Sequence, residues 1–140
     1  MESHAAKLDR TRLKAHPRCV MCGRGPVNAL SIPFAADEDG VVLAQFDCLP
    51  DWEGYAGILH GGITAAILDA AMMNALFAHG ITAVTARLSI RYSHPVLTDR
   101  PAQVRAWLKH SERKLHEVRA EVLQEGRVRV RGAGRFVAIT

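Results

Sequence analysis

The run from Ile63 to Ala78 is apolar except for Thr64, Asp69 and Asn74, with no stripe of charge on any helical face. A segment that is hydrophobic all round is a buried helix, so the pattern predicts one over roughly 62–79, closed by Gly80 as a C-terminal cap residue. Beyond it the period changes to two. Val84, Ala86, Leu88, Ile90 and Tyr92 alternate with Thr85, Arg87, Ser89 and Arg91, as in a strand with one wet face. Three further runs of strand character follow at about 101–110, 115–124 and 127–138, separated by Ser111-Glu112-Arg113 and Glu125-Gly126. Ahead of the helix, Asn28 to Phe34 and Val41 to Cys48 flank Asp37-Glu38-Asp39-Gly40 and read as a hairpin. Ala5 to Lys14 reads as a short polar helix that packs Leu8 and Leu13 inward and is stopped by Pro17.

A flat sheet on one side would leave the other faces of so apolar a helix in water. A strongly curved antiparallel sheet of about six strands, wrapped around one long central helix, avoids this; the expected class is α+β with the hotdog arrangement. Open edge strands of such a sheet pair with those of a second subunit, so a homodimer is expected, and dimers can pair again into a homotetramer. The 140 residues suffice for one core, and residues 1–140 are read as a single domain in which 1–26 form an extension with a short helix and a cysteine-containing loop.

Eighteen basic against fourteen acidic side chains give a net charge of +4. That balance suits an anionic small molecule, but no concentrated basic stripe marks a nucleic-acid binder. Residues 1–16 are charged throughout and do not form a signal peptide, and the longest apolar run falls short of a membrane span, so a cytoplasmic protein without a membrane partner is expected. Cys19, Cys22 and Cys48 are odd in number and are expected to be reduced. Cys19-Val-Met-Cys22 has metal-knuckle spacing that His16 or Cys48 could complete, yet a second ligand pair is missing. The pair therefore reads as small apolar side chains in a Pro/Gly-rich loop, and neither a metal nor another cofactor is expected.

Asp69 is the one charged side chain between Gly61 and Ala78. A carboxylate placed among apolar residues costs several kcal/mol unless paired or hydrogen-bonded, which marks it either as a reactive group or as a structurally capped one. Nine positions before it stands His60-Gly61-Gly62. The segment Tyr55-Ala-Gly-Ile-Leu-His60-Gly61-Gly62 with Asp69 resembles the HGG-to-Asp signature of hotdog-fold acyl-CoA thioesterases of the phenylacetate-pathway (PaaI-like) type. Cys22-Gly23 before the first hairpin, and the Thr85 to Tyr92 to Pro95 run after the helix, are similar to that family too.

The resemblance implies hydrolysis of an acyl-CoA thioester. Gly61 would be the principal oxyanion donor, since backbone N–H groups at a helix N-terminus stabilise negative charge developing on a carbonyl oxygen. Asp69 would be general base or direct nucleophile, and Thr85 would hold the attacking water. His60, Gly62, Tyr55 and Glu53 would line the substrate site, His60 in a structural capacity. The resemblance also implies that turn and carboxylate of one site come from different subunits. Relatives carry Asn six positions before the motif His, where this chain has Gly54; either Glu53 or the Tyr55 region replaces that contact, or catalysis is slower, or the substrate differs. A protein that binds acyl-CoA without turnover is the alternative. Arg87, Arg91, Arg105, Arg119, Arg127, Arg129, Arg131 and Arg135 fall mostly on polar strand faces, where a few could meet coenzyme A phosphates.

Overall fold

The computed structural model describes residues 1–23 and 30–139. In chain order the elements are α1 (His4–Ala15), β1 (Ala35–Ala36), β2 (Val42–Asp47), a 3-10 turn at Pro50–Trp52, α2 (Gly61–Phe77), β3 (Ala83–Tyr92), β4 (Pro101–Glu112), β5 (Leu115–Gln124) and β6 (Arg127–Ala138). The six strands pair antiparallel in one sheet, ordered β1-β2-β4-β5-β6-β3 and curved about α2 as in the hotdog fold. Ile67, Leu68, Ala71, Met72, Ala75 and Leu76 of α2 are fully buried, against Val104, Ala106, Val118 and Val122 of the sheet. The helix ends as its Gly80 predicts. Gly80 takes φ +72°, its N–H donates to Phe77 O and that of Ile81 to Leu76 O, the paired bonds of a Schellman cap.

The face of α2 that the sheet leaves open is covered by α1, whose Ser3 cap accepts from Ala6 N–H. Leu8 is fully buried there, but its companion is Thr11 and not Leu13, which stays exposed. Positions three apart share a helical face, whereas five residues carry a side chain most of the way to the opposite one. The first expected strand is also shortened. Its residues 28–29 lie outside the described set, and 30–34 are irregular because Leu30 and Ile32 donate to Val20 O and Met21 O of the cysteine loop, leaving only Ala35–Ala36 to pair with β2. Pro33, without an N–H, could not have served a ladder.

Strand β3 departs from strict alternation at one point that matters. Its register with β6 runs Val84↔Val137 and Thr85↔Phe136, then resumes at Arg87↔Arg135, so Ala86 is an extra residue in a β-bulge. Paired residues face the same side of a sheet. Thr85 therefore shares the inner, helix-facing side with the fully buried Phe136, while Val84 turns outward with Val137, both exposed. The sequence pattern had put Val84 inside and Thr85 outside; the bulge reverses both.

On β6, Gly132 and Gly134 allow α2 to lie close. A β-carbon added at Gly134 would come within 2.5 Å of the buried Phe136 ring and 3.2 Å of Met72 Sδ. Gly134→Val is expected to cost about 1–3 kcal/mol by overpacking, seen as a lower urea midpoint with unchanged slope.

Candidate active site

The segment before α2 is held by its own backbone. Gly54 N–H donates to Ile58 O, His60 N–H to Trp52 O and Leu59 N–H to Val96 O, while Glu53 Oε2 accepts from Gly57 N–H at 2.9 Å. Gly57 sits at φ +76°, which an L side chain rarely adopts. Glu53 thus secures the turn and does not line the cleft described below. Gly54 lies against the His60 ring, where a β-carbon would come to 3.4 Å from Cδ2.

His60 is the N-cap of α2, with Nδ1 accepting from Gly62 N–H at 2.9 Å and its carbonyl accepting from both Thr64 N–H and Thr64 Oγ1. The ring nitrogen is committed to capping. Gly62 has consequently spent its donor, whereas Gly61 N–H has no acceptor among the described residues. It stands at the positive end of a helix of 17 residues. Tyr92 Oη donates to Gly61 O at 2.6 Å and so fixes that peptide. Burial pushes the Tyr92 hydroxyl above its ordinary pKa, keeping it a donor.

This corner opens on a cleft of about 590 Å³ bounded by Tyr55, Ile58, His60 and Gly61 on one side and Tyr92, His94 and Val96 on the other. Tyr55 forms its exposed lip. Of the residues singled out from sequence, His60, Gly61 and Tyr55 meet here, while Gly62, Glu53, Asp69 and Thr85 do not line it. Tyr92 and Thr64 were not singled out. Tyr92 could not be, because its partner lies 31 residues away.

Asp69 and Thr85 come together elsewhere on α2. The Thr85 hydroxyl donates to Asp69 Oδ1 at 2.7 Å, and Oδ2 has no partner among the described residues. Asp69 is half-buried and Thr85 exposed, at the outer edge of β3. The carboxylate is therefore neither sealed in the core nor saturated by donors. Thr85 is inward-facing only because of the bulge at Ala86.

Cys48 is buried apart from the other two thiols, and burial pushes its pKa up to about 11. His16, Cys19 and Cys22 converge, with their ligand atoms all within 4.8 Å of one another. Burial pushes the His16 imidazole below its usual range, partly offset by the charge of Asp69. Most of the arginines are solvent-facing, as expected; Arg105 pairs with Glu121 and Arg100 with Glu125, and Arg127 meets His94 at 2.8 Å beside the cleft.

Comparison with known proteins agrees with this architecture. The family model for the thioesterase superfamily matches residues 56–130, more than half of the chain. The protein belongs to the thioesterase superfamily. A solved thioesterase superfamily protein is 25% identical with a TM-score of 0.81, over 84% of this chain and 62% of the other. The chain thus spans less than two thirds of that relative. The E. coli PaaI protein from the phenylacetic acid degradation operon superposes over 99% of this chain and 97% of its own, with TM-score 0.82 at 16% identity. A hypothetical thioesterase protein from Streptococcus pneumoniae TIGR4, solved with coenzyme A, gives TM-score 0.68 at 22% identity over 71% of this chain and 82% of its own. No curated protein matches the chain. Among the described residues, no helix is long and apolar enough to cross a membrane.

Proposed function

We propose that the protein is an acyl-CoA thioesterase, releasing free acid and coenzyme A, and that its active site is shared between two copies of the chain. The observation that carries this reading is the Thr85 to Asp69 hydrogen bond, built by a bulge at a sheet edge and leaving one carboxylate oxygen unspent. Bulges of this kind re-aim side chains, and an inward hydroxyl holding an acid at the rim needs a purpose other than core packing.

Gly61 N–H is the donor for the carbonyl oxygen, and Asp69 is the base or nucleophile. As base, Asp69 takes a proton from water while the water oxygen bonds to the acyl carbon; the carbonyl electrons collect on oxygen against Gly61 N–H, then return as the C–S bond breaks and the thiolate leaves. As nucleophile, Asp69 bonds to that carbon itself and water later cleaves the resulting anhydride. Thr85 orients the carboxylate in either case.

One chain cannot place both groups on one carbonyl. Gly61 and Asp69 are eight residues apart in an unbroken helix, about 12 Å along its axis, whereas a reacting centre must lie about 3 Å from each. A second copy can close the gap. Strand β3 ends the sheet with an unpaired edge, and Val84, Leu88, Tyr92 and Val137 are exposed on or beside it, which suits a two-fold pairing of β3 with β3. The cleft at Gly61 of one copy would then face Asp69 of the other; a tetramer would be a pair of such dimers.

Relatives support the substrate class. The Streptococcus pneumoniae protein binds coenzyme A, and it was also solved with an aspartate and a threonine replaced by alanine in turn. Those two residues are sixteen positions apart, as are Asp69 and Thr85. The reaction so written needs no metal or redox cofactor, and we place the enzyme in the cytoplasm. Thiol release from a panel of aryl- and medium-chain acyl-CoA esters tests the reading. Turnover is expected in the wild type and reduced roughly ten- to a hundredfold in Thr85→Val, with Thr85→Ser close to wild type. Tight binding of acyl-CoA with no turnover would replace the enzyme by a carrier or sensor.

A further inference from the structure

The loop that joins α1 to the sheet brings together three donors of one chemical kind. His16 caps the C-terminus of α1, and Cys19 and Cys22 follow with the two-residue spacing of a metal knuckle. All three ligand atoms lie within 4.8 Å of one another, with Cys22 Sγ 4.0 Å from His16 Nδ1. A tetrahedral cation bonded at about 2.0–2.3 Å holds its donors about 3.3–3.8 Å apart, so atoms so placed need to close by only about 1 Å or less to grip one.

The backbone is arranged for that use. Met21 N–H points at Cys19 Sγ at 3.4 Å, giving the sulfur a donor that stabilises a thiolate. The loop then folds back, with Gly23 N–H donating to Cys19 O at 2.7 Å, and a β-carbon at position 23 would collide with the Cys19 backbone. Arg12 Nη1 donates to Cys22 O, and the His16 ring stands edge-on to Phe77, so the loop is clamped between α1 and α2 before any ion arrives. A second observation points the same way. Asn74 of α2, fully buried, has its amide beside the Cys22 thiol, and its Oδ1 has no hydrogen-bond partner among the described residues. An unspent acceptor in the core is costly unless something polar reaches it.

We propose that His16, Cys19 and Cys22 bind one zinc ion, with water as fourth ligand in reach of the Asn74 amide. Two thiol protons pass to solvent as two Zn–S bonds form, and no electron is transferred. The ion ties the N-terminal extension to the end of α2 remote from the Gly61 turn. Cys48 takes no part, since it does not belong to the cluster. Nothing in this site relies on thioester chemistry.

Protein prepared without chelator in zinc-supplemented medium is expected to carry about one zinc per chain by elemental analysis. Titration of stripped, reduced full-length protein with Co²⁺ is expected to produce tetrahedral ligand-field bands and thiolate charge-transfer absorption that saturate at one equivalent. Cys19→Ser, on a half-exposed loop residue, should fold and lose both signals, and His16→Gln should weaken binding at least tenfold. Unchanged spectra in Cys19→Ser would overturn the proposal. So would wild-type protein that binds no cobalt while its thiols are titrated as free, or a Cys19–Cys22 disulfide that forms in preference to the metal complex under air.

Discussion

Asp69→Asn is expected to lower kcat for acyl-CoA hydrolysis by about 10²- to 10⁴-fold, with KM little changed. The replacement keeps the shape of the side chain and can still accept the Thr85 hydroxyl bond, so the fold loses nothing. It removes the ability to take a proton or attack carbon. A drop confined to kcat separates the chemical role from a structural one. Retained hydrolysis in Asp69→Asn, measured by thiol release, would show that the acid is there only to fasten β3 to α2.

The second large effect concerns the division of labour between copies. Gly61 is the first helical residue of α2, a position whose N–H has no intrahelical acceptor, and its preceding residue His60 has φ −56° and ψ 132°. Proline is tolerated at such a position and its predecessor already has the backbone it demands. Gly61→Pro therefore deletes one donor with little cost to the helix, and is expected to reduce kcat by about 10²- to 10³-fold. Coexpressed with Asp69→Asn, it should regain activity. Half of randomly assembled dimers are mixed, and each mixed dimer has one site with an intact Gly61 from one copy and an intact Asp69 from the other, so about a quarter of wild-type activity returns. Sites complete within one chain would give no recovery. The unfractionated mixture is read by the same assay, and tandem-tag purification of the mixed species should raise the recovery to about half.

Much of this was open to reading in the residues themselves. The apolar run with a single acid announced the central helix, and the period-two runs announced the strands, because burial writes its period directly into residue type. The HGG turn and Asp69 were equally visible. What could not be seen depended on pairings between distant segments. Ala86 is as acceptable in a bulge as in a regular strand, so the alternation of Val84 to Tyr92 gave no sign that Thr85 and Val84 exchange faces. Leu13 is more hydrophobic than Thr11, yet geometry on α1 buries Thr11. The strand expected up to Phe34 gave way because Leu30 and Ile32 found acceptors in the cysteine loop. That same loop, read as two apolar thiols, closes with His16 only once α1 and its cap are in place.

The extra residue in β3 also makes the site sensitive to counting. Taken into the regular ladder, Ala86 would stand opposite Phe136 and push Thr85 to the outward position opposite Val137, so a chain with the same aspartate, threonine, helix and composition would swing the hydroxyl to solvent. In this scaffold, activity can be gained or lost by the register of one strand with no change in the identity of any reactive group.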